Sequence, residues 1–116
     1  MKKVIIGIAS QQAIRARALA IASGDHQPRA DEPKIWFTSM RSLAEVLSDD
    51  NRALLRVIRE QKPESLSQLA EVTGRAPSSL LRTRKTMERY GLVKMRRTLR
   101  NVQPVASASE FVIRAA

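Results

Sequence analysis

Apolar and polar positions repeat with a changing period along this chain, and each change predicts a new element. The β-branched run Val4-Ile5-Ile6-Gly7-Ile8 predicts a strand over residues 2–8. Ser10 then offers an N-cap. The Ala-rich stretch Gln11–Ser23, with Ile14, Ala18 and Ile21 at helical spacing, predicts a helix stopped by Gly24. Asp25–Pro33 holds His26, Pro28 and Pro33 and predicts an exposed linker. Ile35-Trp36-Phe37-Thr38 predicts a second short strand, after which Ser39 or Ser42 begins a helix carrying Leu43, Val46 and Leu47.

The second half is more strongly punctuated. Ser48 caps a helix whose first turn, Asp49-Asp50-Asn51, sets acids at the positive end of the dipole. Leu54, Leu55 and Ile58 face inward on it, and Pro63 enforces its end. Ser65 and Gln68 have capping-box spacing for a short helix, Leu66–Thr73. Arg75-Ala76 turns the chain, Pro77 fits a first helical turn, and the next helix runs Ser78–Tyr90 to Gly91. Leu92–Met95 and Val102–Val105 predict a hairpin around Arg96–Asn101, and Phe111-Val112-Ile113 reads as a strand or a docking tail.

Within this run Ala70, Gly74 and Leu80 fall at offsets 0, +4 and +10. A helix-turn-helix needs a small residue where its helices touch, a residue tolerant of positive φ in the turn, and an apolar anchor early in the second helix. The predicted fold is α+β: a mainly helical winged helix-turn-helix with a C-terminal β-hairpin wing and an N-terminal strand-helix-strand extension. Residues 1–34 form the extension and linker, 35–106 the winged helix-turn-helix, and 107–116 the C-terminal strand or tail.

Charge sharpens this picture. The chain carries 21 Lys and Arg against 11 Asp and Glu, a net charge of +10. Most of that excess lies in Gly74–Asn101, where Arg75, Arg82, Arg84, Lys85, Arg89, Lys94, Arg96, Arg97 and Arg100 face one acid, Glu88. Such a balance selects a polyanionic partner. The absence of cysteine excludes a disulfide framework and thiolate metal sites. A single histidine, His26, argues against a His-based metal centre or a catalytic triad. No metal, no cofactor and no enzymatic activity are expected. Lys2-Lys3 before an apolar run imitates a signal peptide, but the run is shorter than the roughly 7–15 residues an h-region needs. No stretch approaches the ~20 apolar residues of a membrane span, so a cytoplasmic location and no membrane partner are expected.

Plotted at helical spacing, Leu80, Arg84, Met87 and Gly91 share one face of the second helix. Ser78, Arg82, Lys85, Thr86 and Arg89 share the other, with Ser79 at its edge. The N-terminal half of such a helix reaches base edges. Arg82 is therefore the candidate for a bidentate guanine contact or, failing that, a phosphate contact, with Ser78, Ser79, Lys85 and Thr86 as helpers. Arg75, Arg89, Arg96, Arg97 and Arg100 complete the candidate DNA-binding set, the hairpin arginines reaching backbone or minor groove. The plainer alternative is a solvated charged face.

Trp36–Val105 resembles the winged helix-turn-helix transcriptional regulators of the MarR/ArsR-like class, closest to a small prokaryotic group of predicted transcriptional regulators and DNA-binding proteins. The residues that carry the resemblance are Trp36-Phe37-Thr38-Ser39, Leu47-Ser48 and Asn51-Arg52-Ala53-Leu54-Leu55. Ser65, Leu69-Ala70, Gly74-Arg75, Arg82-Thr83 and Tyr90-Gly91-Leu92-Val93 continue it, and Val4–Ser23 extends it to most of the chain. Arg84 departs from the pattern, standing where the group has an aliphatic residue. It must snorkel, pair with Glu88 or Glu71, or accompany a rotated helix that brings Leu81 inward.

The resemblance implies a sequence-specific regulator of double-stranded DNA acting as a homodimer. Val4, Ile6, Ile14, Ile21, Trp36 and Phe37 are the candidate dimerisation residues. The alternative is an antitoxin-like DNA-binding protein that also binds and masks a toxin-like partner; binding to structured RNA is a further rival.

Overall fold

A computed structural model describes residues 2–115, and among these the fold is α+β, with five helices and five strands. Their order is β1 (Lys3–Ile8), α1 (Gln11–Ala22), β2 (Ile35–Phe37), α2 (Met40–Val46), α3 (Asp49–Gln61), α4 (Leu66–Thr73), α5 (Pro77–Arg89), β3 (Val93–Arg97), β4 (Val102–Ala106) and β5 (Glu110–Arg114). None of the helices is long and apolar enough to cross a membrane.

Local signals set most boundaries. Ser10, Ser39, Ser48 and Ser65 each accept a hydrogen bond from the backbone amide three residues on, so four of the helices start at a serine cap. Pro77 occupies the first turn of α5, where its missing N–H costs nothing. The capping box at α4 closes one residue earlier than its spacing predicts. The Gln68 amide donates to Ser65 Oγ at 3.1 Å, but Gln68 Oε1 accepts from the Glu64 amide at 2.5 Å. Gly74 ends α4 with φ +72°, a conformation that costs other L residues about 1–2 kcal/mol.

The two chain ends meet in one sheet. β1 lies between β2 and β5, and both pairings are parallel. The register sets Ile6 beside Ile35 and Ile113, and Val4 beside Phe111. The segment that could be read as a strand or a tail is therefore a strand, paired with the opposite end of the chain. The β1–α1–β2 connection is a crossover that lays α1 over the face opposite the core. On that face Trp36 covers Gly7 so closely that a Cβ on Gly7 would stand 2.5 Å from the indole ring. Only glycine fits there.

α1 itself is thinly packed: it contains no buried residue, and Leu19 is 64% exposed. An ionic cluster holds the linker beneath it. Glu32 accepts from Arg17 at 2.6 Å and stands 2.9 Å from His26 Nε2, while the Arg17 guanidinium lies 5.3 Å from the Trp36 ring centroid. His26, expected as a plain linker residue, is thus part of a built contact.

One core serves both halves. Ile6 and Phe37 from the sheet, Leu54, Leu55 and Ile58 from α3, Leu69 from α4, Leu80 and Met87 from α5, and Leu92 and Val93 after it form one buried cluster. Burying a side chain of this size is worth about 1.5–3 kcal/mol. This corrects the expectation that Val4, Ile6 and Phe37 meet a second copy. They are buried within their own chain, Ile6 and Phe37 with no exposed surface at all. Trp36, Ile14 and Ile21 are half-buried.

Candidate nucleic-acid interface

α5 is amphipathic because its apolar residues recur at helical spacing. Leu80 and Met87 are buried, while Ser78, Ser79, Arg82, Lys85 and Arg89 are exposed. Positions 78, 82, 85 and 89 form one row along the helix, since residues three and four apart lie on the same face. Thr86 is half-buried, with its hydroxyl donating to the Arg82 carbonyl at 3.2 Å, so it flanks the row. Arg89 leans on Tyr90, its guanidinium 5.6 Å from the ring centroid.

The row is electrostatically open. Among the described residues no carboxylate pairs with Arg82, Lys85, Arg89, Lys94, Arg96, Arg97 or Arg100. Glu88 is engaged by Arg84 at 2.5 Å, one turn away on the same helix. That pair settles how Arg84 is accommodated. Its side chain is only 22% exposed, and its Nε is buried without a hydrogen-bond partner. Leu81 remains 40% exposed, so α5 is not turned to bring it inward.

Arg75 does not join the row. Its guanidinium donates to the Asp50 carbonyl at 2.7 Å and to Asn51 Oδ1 at 3.3 Å, tying the turn between α4 and α5 to the start of α3. An arginine beside a turn gives no sequence sign of which way it points; here two α3 acceptors capture it. It thus stands apart from the exposed row with which the sequence pattern groups it.

β3 and β4 pair antiparallel, with Arg97 opposite Val102. Val93 is buried and Met95 half-buried against the helices, so alternation turns Lys94 and Arg96 outward. Lys94 was missed as a candidate, although this period-2 pattern could have found it. Arg96 donates to Gln103 across the ladder at 2.5 Å, and Gln103 Nε2 donates to the Lys62 carbonyl at 3.4 Å, anchoring the hairpin to the end of α3. The tip is shorter than expected: Thr98 and Asn101 close it through a 2.8 Å backbone bond, leaving Leu99 and Arg100 in full solvent. Arg97, at the end of β3, is exposed beside that tip.

Among the described residues no three His, Cys, Asp or Glu side chains gather where a metal ion could be held. The arrangement suits binding a polyanion along a helix and a hairpin. It defines a class, a small α+β domain presenting two unpaired basic surfaces. The HVO_A0114 family model matches residues 46–113, from the end of α2 into β5, and the chain belongs to the HVO_A0114 family. No curated protein and no solved structure matches it.

Proposed function

We propose that this chain is a non-enzymatic, sequence-specific regulator of transcription that binds double-stranded DNA as a homodimer. On this reading α4 and α5 are a helix-turn-helix, β3 and β4 are its wing, and the whole is a winged helix of the MarR/ArsR-like kind. α5 enters the major groove with Arg82 on a base edge, and the hairpin arginines lie on the backbone or in the minor groove.

The observation that carries the reading is the row Ser78, Arg82, Lys85 and Arg89. It is exposed and free of carboxylate partners, on a helix whose opposite face is locked into the core by Leu80 and Met87. A merely solvated face would carry charges of both signs, because solubility needs no single-sign field.

The test is selection of bound sequences from a randomised duplex pool at two salt concentrations. A recurring palindrome that survives the higher salt supports a dimeric reader of sequence. Enrichment of nothing, with binding that collapses as salt rises, rejects sequence reading and leaves a phosphate-binding surface. Preference for structured RNA over duplex DNA in the same assay rejects the DNA reading altogether.

A further inference from the structure

β5 is an outer strand: the sheet order is β2-β1-β5, and β5 pairs with β1 alone. The Glu110 amide lies 3.4 Å from the Lys2 carbonyl of the neighbouring chain end. Strand alternation then turns the peptide groups of Glu110, Val112 and Arg114 toward β1 and those of Phe111 and Ile113 outward. Unpaired outward groups on an edge are a template for another strand, and natural edges are usually blunted by proline, lysine or a bulge. The five residues Glu-Phe-Val-Ile-Arg contain neither proline nor lysine, their two charges stand at the strand ends, and Ile113 is 45% exposed. The opposite edge, β2, has only three residues and runs at once into the cap of α2.

We infer that β5 is the homodimer interface, two copies pairing antiparallel about a two-fold axis through Val112. The strand is self-complementary only in that register. Glu110 and Arg114 stand symmetrically on either side of Val112, so each Glu110 meets Arg114 of the second copy, whose guanidinium donates to the Asp31 carbonyl of its own chain at 2.6 Å and keeps further N–H groups for the carboxylate. Phe111 meets Ile113 of the second copy, and the four outward peptide groups of these pairs bond to one another. Val112 faces its own counterpart as a non-hydrogen-bonded pair. Parallel or shifted pairing loses the charge match. Beside this edge Phe111 and Ile113 line a groove of mixed character, in which Leu43, Leu47 and Leu55 stand with Arg52, Arg56 and Arg59. The inference deepens the homodimer part of the proposed function and places that contact away from the N-terminal residues that the sequence pattern favours.

Sedimentation equilibrium without DNA tests it, so failure of DNA recognition cannot be mistaken for failure of the interface. Wild-type protein is expected to be dimeric, and Glu110→Arg or Arg114→Glu to weaken the dimer roughly tenfold through two symmetric contacts. The double variant Glu110→Arg/Arg114→Glu restores the pairing, which a folding defect would not do. The chain has no cysteine, so Val112→Cys introduces a single thiol. Non-hydrogen-bonded pairs place Cα atoms about 4.5 Å apart, within disulfide reach, and mild oxidation should convert the variant to a covalent dimer. Leu19→Cys, on the exposed face of α1, should not cross-link. A wild-type monomer at about 100 μM, or a dimer that cross-links through Leu19→Cys and not Val112→Cys, overturns the inference. So do charge reversals that leave the dimer unchanged.

Discussion

Tyr90 stacks on Phe37, with ring centroids 4.3 Å apart and planes 18° from parallel. Phe37 ends β2, and Tyr90 is the C-cap of α5. The pair therefore fastens the last turn of the basic helix to the parallel sheet, adding an aromatic contact to the core that the N-terminal unit shares with the candidate interface.

Removing either ring should loosen that junction by different amounts. Phe37→Ala leaves a cavity at a fully buried site and is expected to cost about 3–5 kcal/mol. Tyr90→Leu keeps apolar bulk and loses the stacking, about 0.5–1.5 kcal/mol. Urea melts of both variants check the order; a Tyr90→Leu midpoint equal to wild type would mean that the stack adds nothing beyond buried area.

Arg82 and Arg97 should fail in different ways as DNA contacts. Arg82→Ala is expected to lower affinity for the selected site by about 1–3 kcal/mol while leaving random duplex nearly unaffected. Arg97→Ala should weaken all sequences alike and lower the slope of log affinity against log salt by about 1. Titrations over a salt series separate the two. Equal loss on specific and random DNA for Arg82→Ala would reduce that residue to a phosphate contact.

Arg84→Leu is expected to stabilise the protein. The guanidinium Nε is buried with no partner, and the ion pair to Glu88 lies between two buried apolar residues, Leu80 and Met87. Leucine removes the unpartnered Nε, whose burial costs about 1–3 kcal/mol, while Glu88, 43% exposed, is left to water. Thermal denaturation measures this. Because Arg84 is off the exposed row, DNA affinity should hold, and a lower melting temperature would show that the pair is needed to hold α5.

Acid should reach the α1 side of the sheet through Glu32. Hydrogen bonds from His26 and then Arg17 hold its carboxyl at about 2, against an ordinary 4.5. A depressed carboxylate favours the folded state above the unfolded value and loses that contribution as pH falls through the folded one. Its stabilisation is thus complete above pH 4.5 and declines toward about 2. Glu32→Gln should lower the melting temperature at pH 6, with the gap to wild type closing between pH 4.5 and 2. A gap independent of pH would assign the loss to packing.

The elements that were legible are those whose signals lie within one turn of the chain. Serine caps, Pro63, Pro77, Gly74 and the alternation in β3 report local sterics and local hydrogen bonds, so α3, α4 and α5 lie within about a residue of their expected ends, while β3 runs two residues beyond its own. The exposed row of α5 was readable for the same reason, since Leu80 and Met87 fix which side turns inward. Arg75 was not, because its partners, Asp50 and Asn51, lie across a tertiary contact.

By itself the sequence determined the order of the elements and every kind but the last, the face of α5 that meets solvent, and the concentration of positive charge from Gly74 to Asn101. Each of these follows from spacing along a single segment. Tertiary structure alone decided that β5 pairs parallel with β1 and that Phe37 is core where partner contact was expected. It also decided that Glu32 gathers Arg17 and His26. A short apolar strand carries no label for its neighbour. Pairing across nearly the whole chain is chosen by which strands can share a buried face once the helices have packed, and that sum of distant contacts has no local pattern.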